Sequence, residues 1–369
     1  YVEAKGRYEG PKKVLILGAS SSYGLATRIT TAFGARADTI GVSFERGPKD
    51  EEKLGSAGWY NNIYFRQEAE KKGLIAKNFI GDAFSNAMKE QVIDYIKTEF
   101  GGKIDLLVYS LASPKRIDPN EPEKVYTSVI KPIGQSVSGK NINLETETLD
   151  DVTIEPANDQ EIADTIKVMG GEDCEFWIDA LKAADVLANG FKTTLYSYIG
   201  TDVTDAFYHS GTLGQAKTDA EKHAHAIQNK INAIQGQSVI CVSKAVTTKA
   251  SLVIPKLSIY CLALYKVMLD KGTHETPIMH KDRVYRDMLY GNTPSIDAEG
   301  RLRPDSWERD FDTQEKTKAL MAQITPENFK SGRFGYQTLR HEFMNLNGFD
   351  VDGAGNQTID FDEIIQLKP

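Results

Sequence analysis

The chain has 369 residues, 40% hydrophobic and 26% charged, an ordinary globular composition with core enough for one large α/β domain or two smaller ones. Lys+Arg 44 against Asp+Glu 52 gives a net charge of −8, which argues against a broad basic face for nucleic acid. Cys174, Cys241 and Cys261 are an odd number at unrelated spacings, so they make neither a disulfide framework nor a zinc knuckle; they suit a reducing compartment, and a cytoplasmic protein is expected.

In chain order, apolar runs of strand length alternate with amphipathic helical stretches through the first 270 residues. That alternation predicts a Rossmann-type, doubly wound parallel sheet, with inserted segments and a mixed C-terminal extension. Lys13–Ala19 reads as a buried strand, and Leu25–Phe33 as a helix closed by Gly34. Strands follow at Asp38–Phe44, Leu74–Ile80 and Ile104–Ser110, separated by helices over Tyr60–Lys72 and Asn86–Phe100. Prolines and short alternating pieces over 113–156 read as an insertion. Asn158 with Glu161 three residues on makes a capping box for a helix to Val168. Thr193–Ile199 resumes the sheet, Leu213–Ile234 is a long helix and Ser238–Ser243 another strand. The stretch Leu252–Met268 is broken by Pro255 and Lys256, is too short to span a bilayer and reads as a buried helix. No secretory signal is visible, although the chain opens on Tyr1 rather than Met and residues are expected in front of it. The whole is read as one domain, with the insertion at about 113–156 and a C-terminal substrate-covering region at about 250–369.

Two stretches carry chemistry. Gly18-Ala19-Ser20-Ser21-Ser22-Tyr23-Gly24 lies directly between a strand and a helix, where the backbone can approach a pyrophosphate and place its charge on the helix N-terminus. The spacing is not G-x-G-x-x-G, and a glycine-rich turn that binds nothing is the plain alternative. Glu45, after Phe44 at the end of the second strand, stands where a dinucleotide fold reads the ribose. Its charge would repel a 2′-phosphate and favour NADH, whereas neighbouring Arg46 could pair with that phosphate. Asp82-Ala83 and Leu111-Ala112 follow the third and fourth strands at the same edge. The second stretch holds Tyr198, Tyr208 and Lys217 after a sheet strand. A phenol beside a developing oxyanion can stabilise it and supply a proton, and a nearby lysine lowers the phenol's pKa and holds a ribose. Nine positions separate Tyr208 from Lys217, which on one straight helix, at about 100° per residue, would put them on opposite faces. They converge only if the helix breaks, and Gly211 and Gly214 offer the break.

Together these motifs resemble the trans-2-enoyl-CoA reductases and the related V-type enoyl-ACP reductases, a divergent branch of the short-chain dehydrogenases. That branch is marked by a Tyr and a Lys with eight residues between them, as Tyr208 and Lys217 have here. Gly18–Thr30, Gly58–Asn62, Gly81–Ser85, Val108–Pro114, Lys167–Asp173, Tyr196–Gly200 and Phe343–Gly353 match in order along nearly the whole chain. The resemblance implies NADH-dependent reduction of the 2,3 double bond of a trans-2-enoyl-CoA or enoyl-ACP, in fatty-acid or acyl-CoA metabolism. It makes Tyr208 the proton donor or enolate stabiliser, Tyr198 a substrate contact and Lys217 a cofactor contact. Gly18, Ala19, Ser20, Ser21, Ser22, Tyr23, Phe44, Glu45, Asp82, Ala83, Leu111, Ala112, Val246, Thr247 and Thr248 would line NADH, and a helix from Ala250 to Met268 would cover the acyl chain. The chain departs from the family at Cys174, where a Trp is usual, and over 276–280. A carbonyl reductase or alcohol dehydrogenase using the same Tyr and Lys is the rival within the fold, and an inactive NAD-binding module the rival outside catalysis.

No metal, flavin or nucleic-acid partner is expected, and a monomer is favoured. Asp350–Glu363 imitates a calcium loop, but its last glutamate is the fourteenth residue where the EF-type loop needs the twelfth. His223 and His225 point to different helix faces and make a poor metal pair.

Overall fold

The computed structural model describes residues 1–248, 254, 256–353 and 360–369. The apolar runs become strands β1 (Lys13–Leu17), β2 (Asp38–Ser43), β3 (Ala76–Ile80) and β4 (Ile104–Tyr109), connected by α1 (Ser22–Ile29), α2 (Ala57–Lys71) and α3 (Asn86–Thr98). The 113–156 insertion is two antiparallel hairpins, β5 (Lys115–Ile117) with β6 (Val125–Thr127) and β7 (Val137–Asn143) with β8 (Thr148–Ile154). Next comes α4 (Asp159–Met169), opened by the expected capping box: Asn158 accepts from the Glu161 amide at 2.9 Å, and Glu161 accepts from the Asn158 amide at 3.0 Å. After α5 (Glu172–Ala183), the chain runs through β9 (Leu187–Ser197), α6 (Asp205–Tyr208), α7 (Thr212–Ile231) and β10 (Gln237–Val242).

The six long strands form one parallel sheet in the order β3-β2-β1-β4-β9-β10. Chain direction across the sheet reverses between β1 and β4, so their carboxyl ends open the crevice in which such sheets bind ligands. Both faces are covered, which is why β1 is apolar throughout: Leu15 and Leu17 pack with α3, α5 and α7, while Val14 and Ile16 pack with residues 284–289.

The rest is helical: α8 (Leu257–Asp270), α9 (Pro277–Asp282) running on into a π-helical stretch at Arg283–Leu289, α10 (Phe311–Met321), α11 (Tyr336–Leu346) and α12 (Phe361–Gln366). Every residue of α8 from Leu257 to Tyr265 is buried, as befits a helix apolar on all sides. The Ser258 hydroxyl accepts from the Ile142 amide at 3.0 Å, tying α8 to the β7 hairpin. Leu302 exchanges backbone hydrogen bonds with Ile240 and Val242, so a C-terminal segment covers the edge of β10. Among the described residues, no helix is long and apolar enough to cross a membrane.

Several expected boundaries shift. The first helix starts at Ser22 rather than Leu25, and residues 30–34 are π-helical. β9 starts at Leu187, six residues early: Leu187 pairs with Ile104, and extra residues in β9 are accommodated by a register shift before Lys192 pairs with Leu106. α5 was not expected at all. The expected Ala250–Met268 helix begins at Leu257 and runs to Asp270, with 249–253 and 255 outside the described residues. In the calcium-like loop 354–359 lie outside the described residues; Asp350 bonds His341 at 2.9 Å and Asp360 caps α12.

Candidate active site

The site is built at the carboxyl ends of β1, β2, β4 and β9. β1 ends at Gly18, whose φ of +85° turns the chain sharply toward α1. A side chain there would strike the Ser110 carbonyl after β4, and one at Gly24 would strike the Gly18 carbonyl. Both glycines are required by the close packing of helix N-terminus on strand end, which leaves the turn open for a pyrophosphate. Ser20 donates to Glu45 at 2.5 Å, and Ser56 donates to the other oxygen of the same carboxylate. Gly58 packs against Glu45 so closely that a Cβ there would collide with it. The acid is therefore anchored in place, while Arg46 is exposed and makes no ion pair among the described residues.

A single cavity of about 1070 Å³ joins this turn to the Tyr/Lys stretch. Gly18, Ser20, Ser21, Ser22, Tyr23, Phe44, Glu45, Asp82, Ala83, Leu111, Ala112, Val246 and Thr248 line it, together with Tyr198, Tyr208 and Lys217. An apolar portion of its wall comes from Ile130, Leu213, Ile254, Leu257 and Cys261. Two expected residues are not in the wall. Ala19 gives its amide to Val42 of β2 at 3.1 Å and its side chain to the core. Thr247 is fully buried, its hydroxyl bonded to Tyr265 (2.9 Å) and Glu342 (2.5 Å).

Tyr208 closes the short helix α6, and α7 begins only at Thr212, so the two residues sit on separate helices facing one cavity. Gly211 is the break, extended at the start of α7; Gly214 lies inside α7, where its lack of a side chain admits the His209 carbonyl. Lys217 donates to the Tyr196 carbonyl at 3.1 Å and is pushed down to about 8 by burial. It does not lower the Tyr208 phenol as expected. Burial, reinforced by Cys261 and Glu308, pushes that phenol up, so it stays protonated at neutral pH. The Tyr208 ring stands edge-on to Tyr198, centroids 4.6 Å apart at 89°, and its hydroxyl has no hydrogen-bond partner among the described residues. Tyr198, by contrast, donates to Glu308 at 2.8 Å.

Three buried groups behind the wall were missed by the sequence reading. Lys244 receives the Tyr23 hydroxyl at its carbonyl (2.7 Å), Lys281 lies over the Tyr23 and Tyr196 rings at 4.2 and 3.6 Å, and Glu308 meets Tyr198. Lys281 and Glu308 sit in polar stretches that read as surface, and Lys244 follows an expected strand with nothing local to mark its side chain as buried. His223 is engaged by Glu175 and Asp219, and no cluster of three metal-ligating side chains exists among the described residues.

A model of the trans-2-enoyl-CoA reductase catalytic region matches residues 53–290, and one of the NAD(P)H binding domain of trans-2-enoyl-CoA reductase matches residues 1–50. The chain is 52% identical over 363 residues to an enoyl-[acyl-carrier-protein] reductase [NADH] 2 of Photobacterium profundum, covering 97% of this chain and 90% of that protein. It is 49% identical over 376 residues to the trans-2-enoyl-CoA reductase [NADH] of Clostridium beijerinckii, covering 100% and 93%. The structure of Clostridium acetobutulicum trans-2-enoyl-CoA reductase in complex with NADH superposes with a TM-score of 0.95 at 46% identity, covering 98% of this chain and 91% of that one. Residues 296–362 match a model described as an enoyl reductase FAD binding domain. The described residues there do not fit a flavin dinucleotide. The N-terminus of α10 is capped by Asp310, that of α11 packs at Gly335 against α8, and of this span only Leu346 reaches the cavity.

Proposed function

The chain belongs to the trans-2-enoyl-CoA reductase family, and from that premise we propose how its cavity carries out the reaction. The protein is an NADH-dependent reductase of the 2,3 double bond of trans-2-enoyl thioesters, the acyl carrier being coenzyme A or acyl carrier protein.

The observation that carries the assignment is the Tyr208 hydroxyl: protonated, without a hydrogen-bond partner among the described residues, and in the cavity wall shared with the dinucleotide turn. NADH, when bound, supplies the hydride to the β-carbon. Negative charge then develops on the thioester oxygen, where Tyr208 donates its hydrogen bond and then its proton. Tyr198 is a substrate contact that orients the acyl group. Lys217 holds the nicotinamide ribose, and its positive charge adds to the field felt by the developing oxyanion. The Gly18 and Ser20–Tyr23 turn takes the pyrophosphate, and Phe44-Glu45 reads the adenosine ribose hydroxyls. Asp82-Ala83 and Leu111-Ala112 flank the adenine side, and Val246 and Thr248 the nicotinamide side. Ala19 and Thr247 support these segments from behind.

The chain acts as one domain in which the 113–156 insertion and the region from about 250 onward cover the substrate; the Ser258 bond to β7 and the Leu302 pairing on β10 support this. Three buried, unpaired cysteines support work in a reducing cytoplasm, and a monomer is the working state, to be checked by light scattering.

The test is NADH oxidation with crotonyl-CoA, with a 3-ketoacyl-CoA and with no acyl substrate. Turnover with crotonyl-CoA alone is expected. Faster turnover of the ketone would make the protein a carbonyl reductase, and NADH binding with no turnover of either would make it a binding module.

A further inference from the structure

Tyr198 and Tyr208 both face the cavity, yet their hydroxyls are in different states. The Tyr198 oxygen lies 2.8 Å from Oε1 of Glu308, as does that of Tyr260, and the Ala245 amide donates to the other carboxylate oxygen at 2.6 Å. Gln314 donates to the Tyr260 oxygen at 2.9 Å, which turns the Tyr260 proton toward Glu308. Glu308 is fully buried, and burial holds its carboxyl above the usual carboxylate range, against the Ala245 amide, Tyr260, Lys244 and Tyr198, which favour the anion. Both carboxyl oxygens act as acceptors, Oε1 for the Tyr198 and Tyr260 hydroxyls and Oε2 for the Ala245 amide, so Tyr198 is a donor to Glu308, and a phenol has one proton to give.

We propose that Glu308 is a positioning residue of the reaction: it holds the Tyr198 proton out of the cavity, leaves Tyr208 as the phenol that donates to the thioester oxygen, and pins the cofactor-lining segment through the Ala245 amide. This rests on the reading of Tyr208 as donor. It also gives the C-terminal region a part in the chemistry that no residue of its own performs on the substrate.

Glu308→Gln reverses the arrangement. The new amide must keep its oxygen toward the Ala245 N–H, because an NH₂ there would set donor against donor. Its NH₂ then faces the Tyr198 and Tyr260 oxygens, and both must accept. Tyr260 can redirect its proton to the Thr201 hydroxyl, a neighbouring buried oxygen with no hydrogen bond of its own, while the Tyr198 proton swings into the cavity.

The experiment measures kcat and KM for crotonyl-CoA, with NADH affinity by fluorescence titration and melting temperature as controls for folding. Tyr208→Phe should lose most of kcat. Adding Glu308→Gln to Tyr208→Phe should raise kcat by about tenfold over Tyr208→Phe alone, the scale of coupling between residues in one hydrogen-bond network. Adding Tyr198→Phe as a third change should abolish that gain. Losses in the double variant that simply multiply those of the single variants would overturn the proposal, as would a gain that survives Tyr198→Phe. Should proteins carrying Glu308→Gln not fold, Tyr208→Phe and Tyr208→Phe/Tyr198→Phe suffice. Equal kcat values mean the Tyr198 proton is withheld in the presence of Glu308, and a further large loss means that it is not. A Tyr208→Phe enzyme with full activity would instead sink the donor assignment itself, a result distinct from all of these.

Discussion

The two parts of this molecule bury charged groups at very different density, the first holding only a few such as Arg28, Arg116 and the Lys89–Asp173 pair. Up to the end of β10, the interior is mostly apolar, from Val14–Leu17 through Leu106–Val108 to Val239 and Ile240. Between 275 and 308 the chain instead buries Glu275, His280, Lys281, Asp282, Asp305 and Glu308 almost completely. Each is matched: Glu275 with Arg283 at 2.6 and 2.8 Å and with His280 at 3.0 Å, Asp282 with Arg286, and Asp305 with Arg303. Lys281 reaches Ser243 at 2.7 Å just past β10, and Glu308 reaches Tyr198 just past β9. Apolar burial is non-directional and suffices to assemble a sheet. Buried ion pairs lose much of their attraction to desolvation but fix geometry. On the proposed reading, the first part supplies the scaffold and the reacting groups, and the second holds those groups at their angles.

If this division is right, stability and rate can be removed separately. Glu275→Ala strips the carboxylate from Arg283 and from His280 and should cost about 3–5 kcal/mol of unfolding free energy, the usual penalty for breaking a buried pair. Chemical denaturation measures it, and a loss under about 1 kcal/mol would mean that the C-terminal charges are incidental. Tyr208→Phe should do the converse. On the proposed assignment it removes a donor to charge present mainly in the transition state, so kcat with crotonyl-CoA should fall by about 10²-fold or more, with NADH affinity and melting temperature unchanged. Lys217→Ala should reduce both kcat and NADH affinity, if as proposed it serves the ribose as well as the oxyanion.

The same contrast explains what could be read from the sequence. Strand-length apolar runs and the Gly18 turn are local signals, and the four strand ends they predict do meet at one cavity. The Asn158–Glu161 cap was legible because both partners lie within one turn. Tyr208 and Lys217 are singled out through a spacing shared with a family and line one cavity, and the break at Gly211 follows from helix geometry. Glu308 left no trace: it sits in a polar stretch, and its partners, at 198, 245 and 260, are far away in sequence. Thr247 and Ala19 were assigned to the cofactor as members of contiguous runs, but neighbours in an extended segment alternate sides, and these two face inward. The expected fall in the Tyr208 pKa failed because Lys217 is turned to the Tyr196 carbonyl.

A pH series probes the charged part without mutation. Burial pushes the His280 imidazole down to about 3, with Lys281 and Lys244 acting the same way and Glu275 opposing. An unfolded histidine binds its proton near pH 6.5, so between about 6.5 and 3 the unfolded state holds a proton that the folded state refuses. Stability is thus full above pH 6.5 and falls as the pH drops through that window, by up to about 1.4 kcal/mol per unit. Glu275, held well below the ordinary carboxylate range by Arg283 and His280 against the effect of burial, adds a further loss only below about 4.5. Denaturation at pH 7 and pH 5 should therefore differ by about 2 kcal/mol, and His280→Gln should flatten most of that difference. A wild-type profile already flat from 7 to 5 would show His280 protonated in the fold.

The smallest expected effect lies in the scaffold part, at Glu45, where selection between cofactors is electrostatic and partly exposed. The carboxylate is fixed by the Ser20 and Ser56 hydroxyls and by the absence of a side chain at Gly58, so its charge cannot swing away from an incoming ribose. A 2′-hydroxyl can donate to it; a 2′-phosphate meets a like charge and must displace two serine hydrogen bonds to avoid it. Glu45→Ala should therefore shrink the preference for NADH over NADPH in kcat/KM by about tenfold, roughly one like-charge contact at an effective dielectric between bulk water and the protein surface. The change should come mainly from better use of NADPH. Because Glu45 is only half-buried, part of the wild-type discrimination should also fade as salt is raised through the range that shortens the Debye length below 10 Å. If wild-type protein used both cofactors equally, the anchored carboxylate would not be the selector. The exposed guanidinium of Arg46, which makes no ion pair among the described residues, would then be the residue to change.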